Sequence, residues 1–197
     1  MRFTARLAVP AAAAVIVLAL SACGSSDDSK SGSMMSGSGS APMSAGATTG
    51  AAGDVEFAQM MIPHHEQAVE MADLALQNDS ASADVKALAT QIKAAQDPEI
   101  KLMQGWLGQW GAQESTGPMG HGSGGMMSDQ DMSSLMGASG PEFNQMWLTM
   151  MIEHHQGAVT MAQDVLATTA NPEVKKLATA VVQGQEKEIA TMQGILG

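Results

Sequence analysis

A chain of 197 residues with a net charge of −11 carries no basic surplus for phosphate backbones, which excludes nucleic acid as a partner and electrostatic attraction to anionic lipid with it. It holds 18 methionines, 5 histidines, 3 tryptophans, no tyrosine and a single cysteine, which excludes a disulfide scaffold and a multi-thiolate metal site. Any abundant soft ligand must therefore be a methionine thioether.

Arg2 and Arg6, followed by the apolar run 7–20, read as an export leader over residues 1–22 that is too short for a membrane span. Leu20-Ser21-Ala22-Cys23 resembles a bacterial lipobox, which implies cleavage before Cys23, lipidation there, and residence on the extracytoplasmic face of the cell membrane. The alternative is an ordinary secretory leader with an incidental cysteine. Residues 23–53 are mostly Gly, Ser, Ala and Thr, with Met34, Met35 and Met43 among them. This composition cannot bury a core, so a disordered tether of roughly 30 Å span is expected.

The folded domain is expected over residues 54–197. A first helix covers 54–77, with Asp54 as its cap and Phe57, Met60, Met61, Ala68, Val69, Met71 and Ala72 at helical spacing. Pro63 predicts a kink rather than a break, because the second copy of this stretch has Glu153 there. After a turn at 78–82, a second helix runs over 83–110, with Val85, Leu88, Ile92, Met103 and Leu107 on one stripe. Gln96 and Glu99 interrupt the edge of that stripe, and Pro98 marks another kink. Residues 111–139 form a Met/Gly-rich link in which Ser128 to Asp131 caps a short helix carrying Met132, Leu135 and Met136. Its Met119, His121, Met126, Met127 and Met132 are either open capture side chains for metal or flexible filler. A third helix covers 141–169 and a fourth 172–196, each opened by a proline.

The chain repeats itself. Residues 60–72 read M-M-I-P-H-H-E-Q-A-V-E-M-A and residues 150–162 read M-M-I-E-H-H-Q-G-A-V-T-M-A, holding four of the 5 histidines. The second and fourth helices repeat as well, with V-K-A-L-A-T at 85–90 and V-K-K-L-A-T at 174–179. Two helical hairpins joined by one long connection predict an all-α, four-helix bundle with a crossover between its second and third helices.

Within each copy, Met60/His64 and Met61/His65, and Met150/His154 and Met151/His155, stand one helical turn apart and can share a ligand. Met71 and Met161 lie two turns beyond His64 and His154, so they serve another site or pack. Counted from the turns, His64 falls level with Gln96, Met61 with Glu99, and His154 with Glu186, flanked by Gln185 and Glu188. These polar residues could accept the second N–H of a metal-bound imidazole or ligate directly. A His/Met set without cysteine favours Cu(I) over zinc or iron. A di-iron carboxylate bundle needs Glu-x-x-His on two helices, and that pattern is absent here. The plain alternative is structural: a Met stripe at helical spacing is usually core, a buried histidine is usually a satisfied one, and the tryptophans read as packing.

The stretches Met61–Ala72 and Met151–Ala162, with Gly125-Met126-Met127-Ser128, Met132, Leu135, Gly140 and Phe143 before the second, resemble the domain of unknown function 305 family, which includes proteins of the copper-binding CopM type. The resemblance spans about residues 54–197. It implies a ferritin-like fold and copper ligation by Met61, His64, His65, Met151, His154 and His155, with Met60, Met150, Met71 and Met161 as weaker counterparts. Asn144 and Trp147 depart from the family pattern, as Glu153 departs from the first copy. Together these readings lead to a lipid-anchored copper-binding protein for buffering, resistance or handover to a donor or acceptor protein, with no evident catalytic group. The alternatives are a ferritin-like redox enzyme and a structural helical module without metal.

Overall fold

The computed structural model describes residues 45–114 and 124–197. The leader, Cys23, Met34, Met35 and Met43 of the tether, and Met119 and His121 of the link lie outside the described residues. The regular elements are α1 (Ala45–Gln77), α2 (Ala83–Trp110), α3 (Asp129–Gly137), α4 (Gly140–Thr168) and α5 (Pro172–Leu196). No strand occurs among the described residues.

Local chemistry sets most of these boundaries. The Ser82 hydroxyl accepts the Val85 N–H at the start of α2, and Gly111, in the left-handed region at φ 68°, ends that helix. Ser128 and Asp131 cap each other's backbone at α3, and Asn171 caps α5 with Pro172 in its first turn. Pro63 and Pro98 lie inside α1 and α2, and neither breaks its helix. One expected boundary is wrong. The first helix starts at Ala45, inside the expected tether, so Asp54 lies within α1 instead of capping it. Ala45, Ala47, Ala51 and Ala52 favour this extension and Gly46, Gly50 and Gly53 oppose it, so composition alone does not set the boundary.

α1 packs on α2, α4 on α5, and α1 on α4, with a lighter α2–α5 contact closing the bundle. The core falls into two apolar clusters along the helices. One gathers Ala68–Ala75 of α1, Val85–Ile92 of α2, Phe143–Met151 of α4 and Met192 of α5, together with Met132 and Leu135 of α3. The other gathers Phe57–Ile62, Ile100–Leu107, Ala158–Val165 and Val174–Val181. Helix α2 runs from the first cluster to the second, and α4 begins again at the first. The end of α2 and the start of α4 therefore lie at opposite ends of the bundle, which is the crossover arrangement expected. Trp147 is fully buried with its indole N–H donating to the Met71 carbonyl at 2.8 Å, and Trp106 stacks on Trp110 at 5.7 Å.

Candidate metal centre

Between the two clusters each long helix contributes one polar stretch: His64 and His65 from α1, Gln96 and Glu99 from α2, His154 and His155 from α4, Gln185 and Glu188 from α5. All four imidazoles and both glutamines are buried. The His64 and His154 rings lie against each other at the junction of α1 and α4, with centroids 3.8 Å apart and planes tilted by 37°. The internal repeat thus places its two histidine pairs at one level of the bundle.

The surroundings orient three of the four rings. His65 Nε2–H donates to Glu99 Oε2 at 2.8 Å, and His155 Nε2–H donates to Glu188 Oε2 at 2.8 Å. His64 Nε2–H donates to the Gly124 carbonyl at 2.7 Å. Carboxylate and carbonyl oxygens only accept, so these Nε2 atoms carry the proton and a neutral ring has its lone pair on Nδ1. Every one of the four Nδ1 atoms is buried without a hydrogen-bond partner among the described residues, and His154 lacks one at Nε2 as well. Burial pushes the His64 pKa down to about 3, with the charge of His65 adding to it and the Gly124 carbonyl opposing. Burial, then His64, His155 and His65, also holds His154 well below the ordinary histidine value. Neutral imidazole with a free lone pair is the form that binds a metal.

The expected level pairing needs correction. Glu99 meets His65 rather than standing by Met61, and Glu188 meets His155, while Glu186 is exposed. Counting from the turn located Cα atoms only. Cβ bonds tilt toward each helix's N-terminus, so side chains of α1 and α4 lean away from the turn and those of α2 and α5 lean toward it. The carboxylate that reaches a given imidazole therefore comes from farther along the return helix.

The methionines divide by depth. Met61 and Met151, one turn from His65 and His155, are fully buried in opposite clusters on either side of the histidine layer. Met71 is fully buried and Met150 nearly so, both in the first cluster, whereas Met60 and Met161 are partly exposed. Among the described residues no three or more His, Cys, Asp or Glu side chains stand together so as to hold an ion. The described residues therefore do not make a di-iron carboxylate set, and the soft donors nearby in sequence are the imidazoles and the methionine thioethers.

The residues 124–127 form a strap across this level, a contact that sequence reasoning missed. Gln67 Nε2 donates to the Met127 carbonyl at 2.9 Å, and the Met127 N–H donates back to Gln67 Oε1 at 2.7 Å. Gly124 and Gly125 take the left-handed region at φ 81° and 79°. A Cβ on Gly157 would overlap the Gly124 carbonyl, and one on Gly125 would overlap the Glu153 carbonyl. Met127 and Met132 pack with the first cluster and are not open capture groups. The only sequence signal for the strap is the coincidence of glycines at 124, 125 and 157.

Residues 54–196 match the family described as Domain of unknown function (DUF305). A DUF305 fragment from Deinococcus radiodurans is 33% identical, with a TM-score of 0.68 over 74% of this chain and 95% of that one. CopM in its Cu(II)-bound form is 35% identical, with a TM-score of 0.64 over 72% of this chain and 93% of that one. CopM has also been solved in Cu(I)-bound and silver-bound forms. Among curated proteins, the uncharacterized protein L153 of Acanthamoeba polyphaga mimivirus is 38% identical over 53 residues, so the match spans 35% of that relative's length. With the repeated histidine motif, the crossover bundle and this match over most of its length, the chain belongs to the DUF305 family.

Proposed function

We propose that this protein binds Cu(I) in the histidine layer and serves copper buffering, resistance or handover, held by lipid at Cys23 on the extracytoplasmic face of the cell membrane. The observation that carries the reading is the set of four buried Nδ1 atoms without a partner among the described residues, three of them on rings whose Nε2–H is held by an oxygen. Carboxylates on the far nitrogen of an imidazole are the arrangement that orients metal-ligating histidines and raises their basicity. His64, His65, His154 and His155 are the proposed imidazole ligands, and Met61 and Met151, fully buried one turn from His65 and His155, the proposed thioethers. Met60, Met150, Met71 and Met161 are outlying sulfur. Glu99 and Glu188 orient, while the buried amide oxygens of Gln96 and Gln185, which have no partner among the described residues, face the same level as further acceptors. The Cu(I)- and silver-bound forms of CopM, at 33–34% identity, support a soft ion, and CopM has been solved with Cu(II) as well. The ion is cargo, bound and released without turnover. The lipobox supports the anchor.

Anaerobic titration of the detergent-solubilised protein with Cu(I) against a chromophoric chelator tests this. Tight binding is expected, weakened at least 100-fold by His64→Ala/His65→Ala or by His154→Ala/His155→Ala when both pairs share one centre. Loss of part of the capacity in each variant means two half-sites. Undiminished binding in both variants, or none in the parent, overturns the reading.

A further inference from the structure

The outer groove between α1 and α4 has two ends that correspond through the internal repeat, and among the described residues only one of them holds a helix, which leaves a hollow of about 210 Å³ beside Leu74, Leu135 and Phe143. At the filled end α3 lies in the groove: Met132 and Leu135 pack with Met71, Ala75, Phe143 and Trp147. Asn78 Nδ2 also donates to the Ala138 carbonyl there at 3.4 Å. At the other end the counterpart positions line a groove of about 240 Å³. Met161 stands for Met71, Val165 for Ala75, Phe57 for Trp147 and Met60 for Met150. Phe57 and Val165 are buried and make the floor, and Met60 and Met161 are partly exposed at its sides.

The walls differ in charge. Where the filled end has Met146 and Leu74, both packed on the first cluster, the open end has Glu56 on α1 and Asp164 on α4, both exposed. An acidic helix such as α3, with Asp129 and Asp131 in its first turn, suits the first lining and is repelled by the second. We propose that the open end docks a short amphipathic helix of a partner protein, which presents Met or Leu at the i, i+3 spacing of Met132 and Leu135 and carries Lys or Arg on its flanks. The apolar pair fills the floor as α3 does at the other end, and the basic residues meet the two carboxylates. Helix-in-groove recognition of this kind reads apolar anchors for affinity and charge for partner choice. The inference stands on the repeat and the groove lining and is independent of copper binding.

The test uses the full protein in detergent, labelled at the methionine ε-methyls, and a synthetic peptide of residues 126–138 carrying Asp129→Lys and Asp131→Lys. The lysine peptide is expected to shift the Met60 and Met161 methyl signals and to bind at least tenfold more tightly than the peptide of native sequence. Tenfold higher salt should remove most of that difference. Glu56→Gln/Asp164→Asn changes two exposed side chains, so its urea unfolding should match the parent while the preference for the lysine peptide is lost. The proposal is overturned if no shift occurs, if both peptides bind alike, or if the preference survives in the Gln/Asn variant. Concentration-dependent Met60 and Met161 shifts without peptide would assign the groove to a second copy of this chain and also overturn it.

Discussion

A nitrogen buried without a hydrogen-bond partner costs a folded protein roughly 1–3 kcal/mol. Among its described residues this bundle carries such nitrogens on His64, His65, His154 and His155. Against a total stability on the order of 5–15 kcal/mol, packing alone gives no reason to keep them, whereas a ligand that uses those lone pairs does. The carboxylates show whether orientation or mere satisfaction matters. Glu188→Ala strands the His155 Nε2–H and is expected to lower urea stability by about 1–3 kcal/mol. Glu188→Gln keeps an acceptor oxygen, so its stability should stay within about 0.5 kcal/mol of the parent. Its Cu(I) affinity in the chelator competition should nevertheless fall roughly tenfold or more, because a neutral amide does not raise imidazole basicity. Equal affinity of the Gln variant and the parent would reduce Glu188 to a structural acceptor. The histidine pairs and the polar breaks at Gln96, Glu99, Gln185 and Glu188 were legible in sequence because polar residues on an apolar stripe stand out. Which carboxylate meets which imidazole was not, because Cβ tilt shifts the register by a turn and a repeat motif does not encode it.

Among elements, the hairpins and the crossover could be read from the chain because capping residues and helical spacing are local signals. The strap could not. A Gly-Gly-Met-Met stretch inside a Gly/Ser/Met link has the composition of filler, and its partners Gln67 and His64 lie 60 residues away. Gly157 is where the strap can be tested. Alanine would favour a helix interior by about 1 kcal/mol over glycine. Here, however, its Cβ would overlap the Gly124 carbonyl, a backbone atom that cannot swing aside as a side chain could. Overpacking of this kind typically costs about 1–3 kcal/mol, so the clash is expected to win. Gly157→Ala should lower thermal stability and speed hydrogen exchange at the Met127 amide, which bonds Gln67 in the strap. By contrast Gly184→Ala, at an exposed position of α5 with open space around it, should raise stability. A Gly157→Ala protein with unchanged Met127 exchange would mean that the strap does not depend on that close approach.

At the scale of the whole molecule, two apolar clusters sandwich a layer of imidazoles, and burial keeps His64 and His154 of that layer neutral, which ties stability to pH. His64 is pushed down to about 3 and His154 well below its usual value, both chiefly by burial. In the unfolded chain both rings regain a pKa of about 6.5. Above that pH neither state binds a proton at these sites, and the pair leaves stability unchanged. Below it the unfolded chain takes up protons that the native state refuses, so unfolding is favoured progressively as pH falls toward the folded value. Each such histidine contributes a slope approaching about 1.4 kcal/mol per pH unit. Urea unfolding of the chelator-treated protein at pH 7, 6 and 5 should therefore show stability falling mainly below pH 6.5. Most carboxylates are still ionised over that range, so acid titration of the 20 acidic residues does not account for the drop. His154→Leu removes one of the two groups and should cut the slope by roughly 1.4 kcal/mol per unit. A flat profile from pH 7 to 5 would mean that the layer accepts protons in the folded state, and an imidazole layer that protonates readily would be a poor holder of a soft cation near neutral pH.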